Sequence, residues 1–353
     1  MFFVQQHNNN NTTTKQTNKR EEHFSLIICM NDVILPITTT FGIYRVPWSK
    51  LVEKLTLSRG IQSHQVMALS GRNGIIFGVA NRWSLAWSVA KRWQKSGANV
   101  ALVCASERIA DSVKKMVQRE EVDLGIPEGV GNICTKSSVS AMTVHTCDVT
   151  CDESVKILMQ ELNEERFSGG KLHSILHSVA FSPTGTLTKN FTNITFDEYT
   201  KTQDASAYSL IRLCKYAKPW LVAGAAETRG GSCVLSLTFI GSSICIPNYH
   251  VVGVAKSALE SSTRYLASEL GKHNVRVNAI SPGPINTAAA RGIPNFRDFE
   301  KHVKQSTLLN RNTSPEDVAS VATFLASEEA ASITGQTLFI DCGFNVSSST
   351  YTS

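Results

Sequence analysis

The chain has 353 residues, 42% of them apolar and 18% charged, and carries a formal charge of +6. That apolar share supports a sizeable core and excludes a disordered or coiled-coil protein. So mild a charge does not point to nucleic acid, and no apolar run approaches the ~20 residues that cross a bilayer. The nine cysteines include no C-x-x-C pair, and no histidine joins Cys147 and Cys151 at zinc-ligand spacing. Free, buried thiols in a reducing compartment are expected, and no metal.

Residues 1–23 are an Asn- and Thr-rich stretch that cannot build a core and is expected to be disordered. FSLIICM, 24–30, is either part of a leader or a local strand. Farther on, Trp48, Leu51, Val52 and Leu55 fall at helical spacing, with Lys50, Glu53 and Lys54 opposite. An amphipathic, hydroxyl-rich stretch of this kind suits an organelle transit leader, whereas Glu21, Glu22, Asp32 and Glu53 favour a surface helix. Residues 1–67 are thus a low-complexity or targeting extension. The protein belongs in a mitochondrion or plastid if they are a leader, and in the cytoplasm otherwise.

From Gly71 onward, apolar strands alternate with amphipathic helices. GIIFGVA (74–80) leads into a helix over 84–97 that Gly97 ends. A strand over 98–105 and a helix over 106–121 follow, then a polar loop over 125–138. The pattern continues with a strand over 142–150, a helix over 153–165 and a strand over 171–181. Helices lie near 197–228, strands over 233–240, 275–285 and 337–343, and a helix over 246–271. This alternation predicts an α/β fold: one Rossmann-like doubly wound parallel sheet, helices on both faces, within a single domain over 68–353.

The turn from Gly78 to Ser84 has the form of a strand-to-helix crossing. Backbone N–H groups and the helix dipole would meet a pyrophosphate there, although Gly71, Gly74 and Gly78 do not make the G-x-G-x-x-G spacing. Asp148 ends a strand where it could accept from an adenine amine, or simply cap the next helix. Ser178 and Ala180 are small enough to admit a flat ring and ribose. Arg108, after the second strand, stands where an acid commonly holds the ribose of NAD, so the residues leave NADH and NADPH both open.

GVANRWSLA, HSVAF, DASAYSL (204–210), IPNYHVVGVAKSALE, VRVNAISPGPINTAAA and ITGQTLFIDCGF occur in order. Together they resemble the short-chain dehydrogenase/reductase superfamily, and within it the NADH-dependent bacterial enoyl-[acyl-carrier-protein] reductases, from about Gly74 to Val346. The resemblance implies catalysis by Tyr249 and Lys256, seven apart rather than the superfamily's usual four; position 253, four beyond the tyrosine, is glycine. It implies cofactor contacts from Gly78, Ser84, Leu85, Asp148, Val149, Ser178, Val179, Ala180, Lys256 and Ile285. Substrate contacts would come from Phe239, Tyr249, Ala288 and Ala289, and the assembly would be a homotetramer. Lys256 would hold the nicotinamide ribose, and its charge is expected to lower the Tyr249 pKa. Tyr249 would donate to the carbonyl of a trans-2-enoyl thioester.

Phe239 departs from the pattern, which has a second tyrosine there, and Asn286 and Cys342 depart from it too. The segment 286–296 would be a lid over the acyl chain. The next stretch sets Phe296, Phe299 and Val303 in one stripe and Arg297, Lys301 and Lys304 in another, which suits an acidic acyl-carrier protein or an ordinary surface helix. Other readings are an enoyl-CoA reductase, a non-catalytic NAD(P)-binding scaffold, and a carbonyl reductase using Ser236, thirteen before Tyr249.

Overall fold

The computed structural model describes residues 26–30, 33–37, 68–123, 142–165, 167 and 169–347. The chain divides into two units, Met1–Gln65 and Val66–Ser353. In the first, β1 (Leu26–Met30) pairs antiparallel with β2 (Val33–Ile37). Two short apolar runs around Asn31-Asp32 have the make-up of a hairpin, so the local strand expected within 24–30 is present over 26–30. The amphipathic stretch 48–55 and the 125–138 loop lie outside the described residues.

The second unit is built on seven strands: β3 (Asn73–Phe77), β4 (Asn99–Cys104), β5 (Thr143–Thr146), β6 (Ser174–His177), β7 (Ser232–Leu237), β8 (Val275–Pro282) and β9 (Thr337–Ile340). Their order is β5-β4-β3-β6-β7-β8-β9, and every pairing is parallel. Successive strand residues point to opposite faces, so Ile76 and Leu102 enter one core while Ile75, Phe77, Ala101 and Val103 enter the other. The first core is covered by α1 (Leu85–Lys95), α2 (Glu107–Asp123) and α8 (Pro315–Ala326), with Trp93 wholly buried. The second is covered by α3 (Asp152–Glu165), α5 (Ser209–Ala225) and α6 (His250–Leu270). Each face of an all-parallel sheet needs such a cover, because a strand buried on both sides presents no polar face to water. The remaining helices are α4 (Phe196–Gln203) and α7 (Phe296–Ser306).

Three differences from the sequence reading stand out. The helix α8 was not expected, although Ser314 and Asp317 form a capping box with Pro315 at its start, a plain helix-start signal. The helix expected from Ile246 begins only at His250, because Pro247 and the left-handed Asn248 (φ 59°) make a turn first. Finally, strands expected to run through Thr150, Phe181 and Ile285 stop three to four residues earlier, and β3 ends at Phe77, one before the expected Gly78. Those overrun residues lie beyond the carboxyl ends of the strands, where an open parallel sheet forms its ligand crevice.

Candidate active site

β3 sits where the strand order changes direction, with β4 on one side and β6 on the other. Gly78 leaves it with φ +87°, and a Cβ there would fall 2.0 Å from the Ser178 carbonyl oxygen. Only glycine lets the two strand ends approach so closely. Ser84 occupies the N-cap of α1, yet its hydroxyl donates to Asn81 O (2.7 Å) and makes no cap, and the first turn carries no acid. The positive end of the α1 dipole is therefore left un-neutralised beside Gly78, and Leu85 opens the helix. This fits a dinucleotide diphosphate.

The turn after β5, expected to meet adenine, is different. Asp148 follows β5 in an exposed position, and its Oδ1 accepts from both the N–H and the hydroxyl of Thr150 (2.9 and 2.6 Å). It braces its own turn and does not cap α3. Val149, next to it, offers its carbonyl to Arg212 (2.8 Å); the same guanidinium reaches Asp152 (2.6 Å) and Asp204 (3.0 Å). Arg212 thus ties the turn after β5 to a π-helical turn over Asp204–Tyr208. Within that turn the buried Ser206 accepts from Phe181 N–H (2.9 Å) and donates to Phe181 O (3.0 Å). The clamp fixes the Ser178-Val179-Ala180 loop from behind. Sequence reading missed both residues; DASAYSL was matched only as a block, and a π-turn leaves no mark on hydrophobic periodicity.

Tyr249 and Lys256 bracket the first two turns of α6. The lysine is buried, and its ammonium donates to Leu237 O (2.8 Å) and Val179 O (3.4 Å), at the ends of β7 and β6. Burial pushes its pKa down to about 8, with Glu260 pulling partly the other way. Tyr249 stands at the N-cap of the helix, and burial raises its phenol above the usual range. That is opposite to the expected lowering, because the cost of burying a phenolate dominates at this depth.

Phe239 packs edge-on against Tyr249, ring centroids 5.2 Å apart, and against Phe299 of α7 at 6.3 Å. Ile293 joins the same apolar cluster. Ala288 and Ala289, expected against the acyl chain, are exposed, while Ile293 and Phe299 pack at the Phe239 ring. Ile285 packs on the first core just past β8. Ser236 is buried and shares a hydrogen bond with Thr263 (3.3 Å). It is part of the core and is not placed to meet a substrate.

A family profile described as Enoyl-(Acyl carrier protein) reductase matches residues 128–345. This chain belongs to that family. It is 35% identical to the enoyl-[acyl-carrier-protein] reductase [NADH] of Bacillus subtilis over 279 residues, spanning 79% of this chain and 98% of that one. Over 284 residues it is 33% identical to the Nostoc sp. enzyme of the same name, covering 80% and 99% of the two chains. The crystal structure of the Aquifex aeolicus enzyme superposes with a TM-score of 0.68 at 31% identity, covering 79% and 98%.

Membership in the enoyl reductase family gives Gly253 a physical reason. A Cβ at that position would lie 2.6 Å from the Gly241 carbonyl oxygen, and Gly241 in turn is held close by the Tyr249 ring. The helix reaches this depth only because residue 253 has no side chain, which rules out a lysine at the usual superfamily spacing. Gly253→Ala is expected to lower the melting temperature by several degrees, from overpacking worth about 1–3 kcal/mol. An unchanged melt would refute the close approach.

Lys256 sets a pH dependence whose sign follows from its depressed pKa. Below about pH 8 the amine is charged in both folded and unfolded chains, and the folded chain bears the full burial cost. As pH rises from about 8 toward the ordinary value of 10.5, the unfolded chain holds more protons and that cost is relieved. Denaturant titrations should therefore show wild type gaining stability relative to Lys256→Met across this window. A difference that stays constant would show that the amine is not buried.

Proposed function

We infer that the chain reduces the trans-2 double bond of an enoyl thioester carried on an acyl-carrier protein, using NADH, in fatty acid biosynthesis. The observation that carries this reading is the pairing of a buried ammonium and a buried phenol at the carboxyl end of β7 in a member of this family. When bound, NADH would supply the hydride that adds to C3 of the acyl chain, and a proton taken up at C2 would complete the saturated thioester. Lys256 donates to the ribose hydroxyls and keeps a positive charge near the site. Tyr249, neutral throughout the physiological range, donates its proton in a hydrogen bond to the thioester oxygen, where negative charge collects as C3 is reduced. Gly78 and the open N-terminus of α1 receive the diphosphate. The Ser178–Ala180 loop backs the nicotinamide, and the Phe239 ring walls the acyl side without donating.

Arg297, Lys301 and Lys304 are exposed on α7 while Phe296 and Val303 are buried. This basic face beside the segment 286–296, interrupted by Asp298 and Glu300, is consistent with docking of an acidic carrier, and a coenzyme A thioester, also anionic, is separated from it by the assay below. Among the described residues no helix is long and apolar enough to cross a membrane. The location follows from the mature N-terminus: one near residue 68 places the enzyme in an organelle, and an intact Met1 in the cytoplasm.

The test is an absorbance assay of the full chain with NADH and NADPH in parallel, offered crotonyl carrier, crotonyl-CoA and a 3-keto thioester. Oxidation of NADH with the crotonyl carrier is expected. Activity on the keto thioester alone would make it a carbonyl reductase, against the core position of Ser236, and cofactor binding without turnover would make it a scaffold.

A further inference from the structure

Trp83 is a large indole left 47% exposed in the turn after β3. The turn that carries it is ordered locally, since the main-chain N–H of Trp83 donates to Asn81 Oδ1 (2.9 Å) while Ser84 Oγ donates to Asn81 O (2.7 Å). Two guanidinium groups lie over that one ring: Arg82 at 4.4 Å and Arg291 at 5.3 Å from the ring centroid. Arg82 is its chain neighbour. Arg291 comes from the lid, more than two hundred residues away.

The lid end of this contact is also built. Arg291 Nε donates to Asn286 Oδ1 (3.0 Å), and Thr287 knits the segment by accepting from Arg291 N–H (3.1 Å) through its carbonyl and from Ala290 N–H (3.1 Å) through its hydroxyl. Among the described residues no hydrogen bond joins 79–84 to 286–306. The indole–guanidinium stack is thus the specific tie between two locally ordered turns, one on the cofactor side and one over the substrate. A cation over the face of tryptophan is attracted by the ring's quadrupole, most strongly of the three aromatic types.

We propose that Trp83 and Arg291 form a latch that passes order from the cofactor turn to the lid. The inference rests on the NADH reading given above. NADH, seated on the α1 N-terminus, fixes the turn that carries Trp83; the fixed indole then seats Arg291 and holds 286–306 over the acyl chain. Trp83 is a positioning residue in this scheme, acting on substrate only through the lid.

Hydrogen–deuterium exchange of the full chain, with and without NADH, tests it on wild type, Trp83→Ala, Trp83→Phe, Arg291→Gln and the Trp83→Ala/Arg291→Gln double variant. In wild type NADH should slow exchange of lid peptides over 286–306, by roughly three- to tenfold for a partly exposed stack. Trp83→Ala and Arg291→Gln should each lose most of that slowing, and the double variant should lose no more than either alone. Trp83→Phe, with a smaller ring, should keep part of it. By linkage, the NADH dissociation constant, read by fluorescence, should rise by a factor no larger than that same roughly three- to tenfold in Trp83→Ala and Arg291→Gln. Equal lid slowing in Trp83→Ala and wild type, or losses that add in the double variant, would overturn the latch and leave the cofactor reading standing. Failure of wild type to bind NADH would remove both.

Discussion

Replacing Lys256 with methionine should weaken NADH binding by about a hundredfold, while the fold stays as stable as before or gains slightly. The two effects separate because the ammonium serves the ligand at the expense of the core. Its charge-assisted hydrogen bonds to ribose hydroxyls are worth about 3 kcal/mol together, which is that hundredfold change. In the free protein the same charge is buried against only two carbonyl oxygens, Leu237 O and Val179 O. The fall in pKa from 10.5 to about 8 corresponds to a penalty of about 3 kcal/mol at neutral pH. Methionine removes that penalty and fills similar volume, and it leaves the two carbonyls unpaired at a cost of about 1–3 kcal/mol. Fluorescence titration with NADH and a thermal melt on the same samples check both halves. An affinity within threefold of wild type would take Lys256 out of the cofactor site. A large loss of stability would make it a structural lysine.

Much of this architecture can be read from periodicity, because strands buried on both faces and helices with one apolar stripe leave strong signals. What could not be read is also where the chemistry sits. Gly78–Ala80, Cys147–Thr150, Ser178–Phe181 and Gly283–Ile285 look like strand from their apolar character, yet all of them lie past the last paired residue. Their small or apolar side chains suit a ligand in the crevice as well as they suit a sheet, so composition does not tell the two apart. The spacing of Tyr249 and Lys256 was visible, but the reason for it was not: the glycine at 253 meets the Gly241 backbone from a distant part of the chain. Arg212, Ser206 and Trp83 escaped notice for a similar cause. Each acts by bridging segments far apart in sequence, and local pattern carries no trace of such a partner. The pKa of Tyr249 went the other way because the residue's depth outweighs a charge assumed from spacing alone.

Tyr249→Phe should lower kcat by roughly 10²–10³, the loss expected when one donor to a developing oxyanion is removed from a preorganised site. NADH affinity should stay within twofold, since the role proposed for the phenol is at the acyl oxygen and not at the ribose. The size of the effect depends on Phe239. A tyrosine at that position could have supplied a second donor, but here the neighbouring ring, 5.2 Å from Tyr249, offers only its edge. With no such second donor, removing the Tyr249 hydroxyl should cost more than it would with a tyrosine at 239. The raised pKa of Tyr249 adds a further mark. The phenol stays protonated through neutral and mildly alkaline pH, so a fall in the wild-type rate near pH 8 would follow Lys256. The rate of Tyr249→Phe, much reduced, should therefore keep the same alkaline limb, and Lys256→Met should lose it. If the limb disappears with the hydroxyl and survives loss of the amine, the two roles are reversed. If kcat in Tyr249→Phe is unchanged, the oxyanion is held by some other group and the assigned chemistry fails.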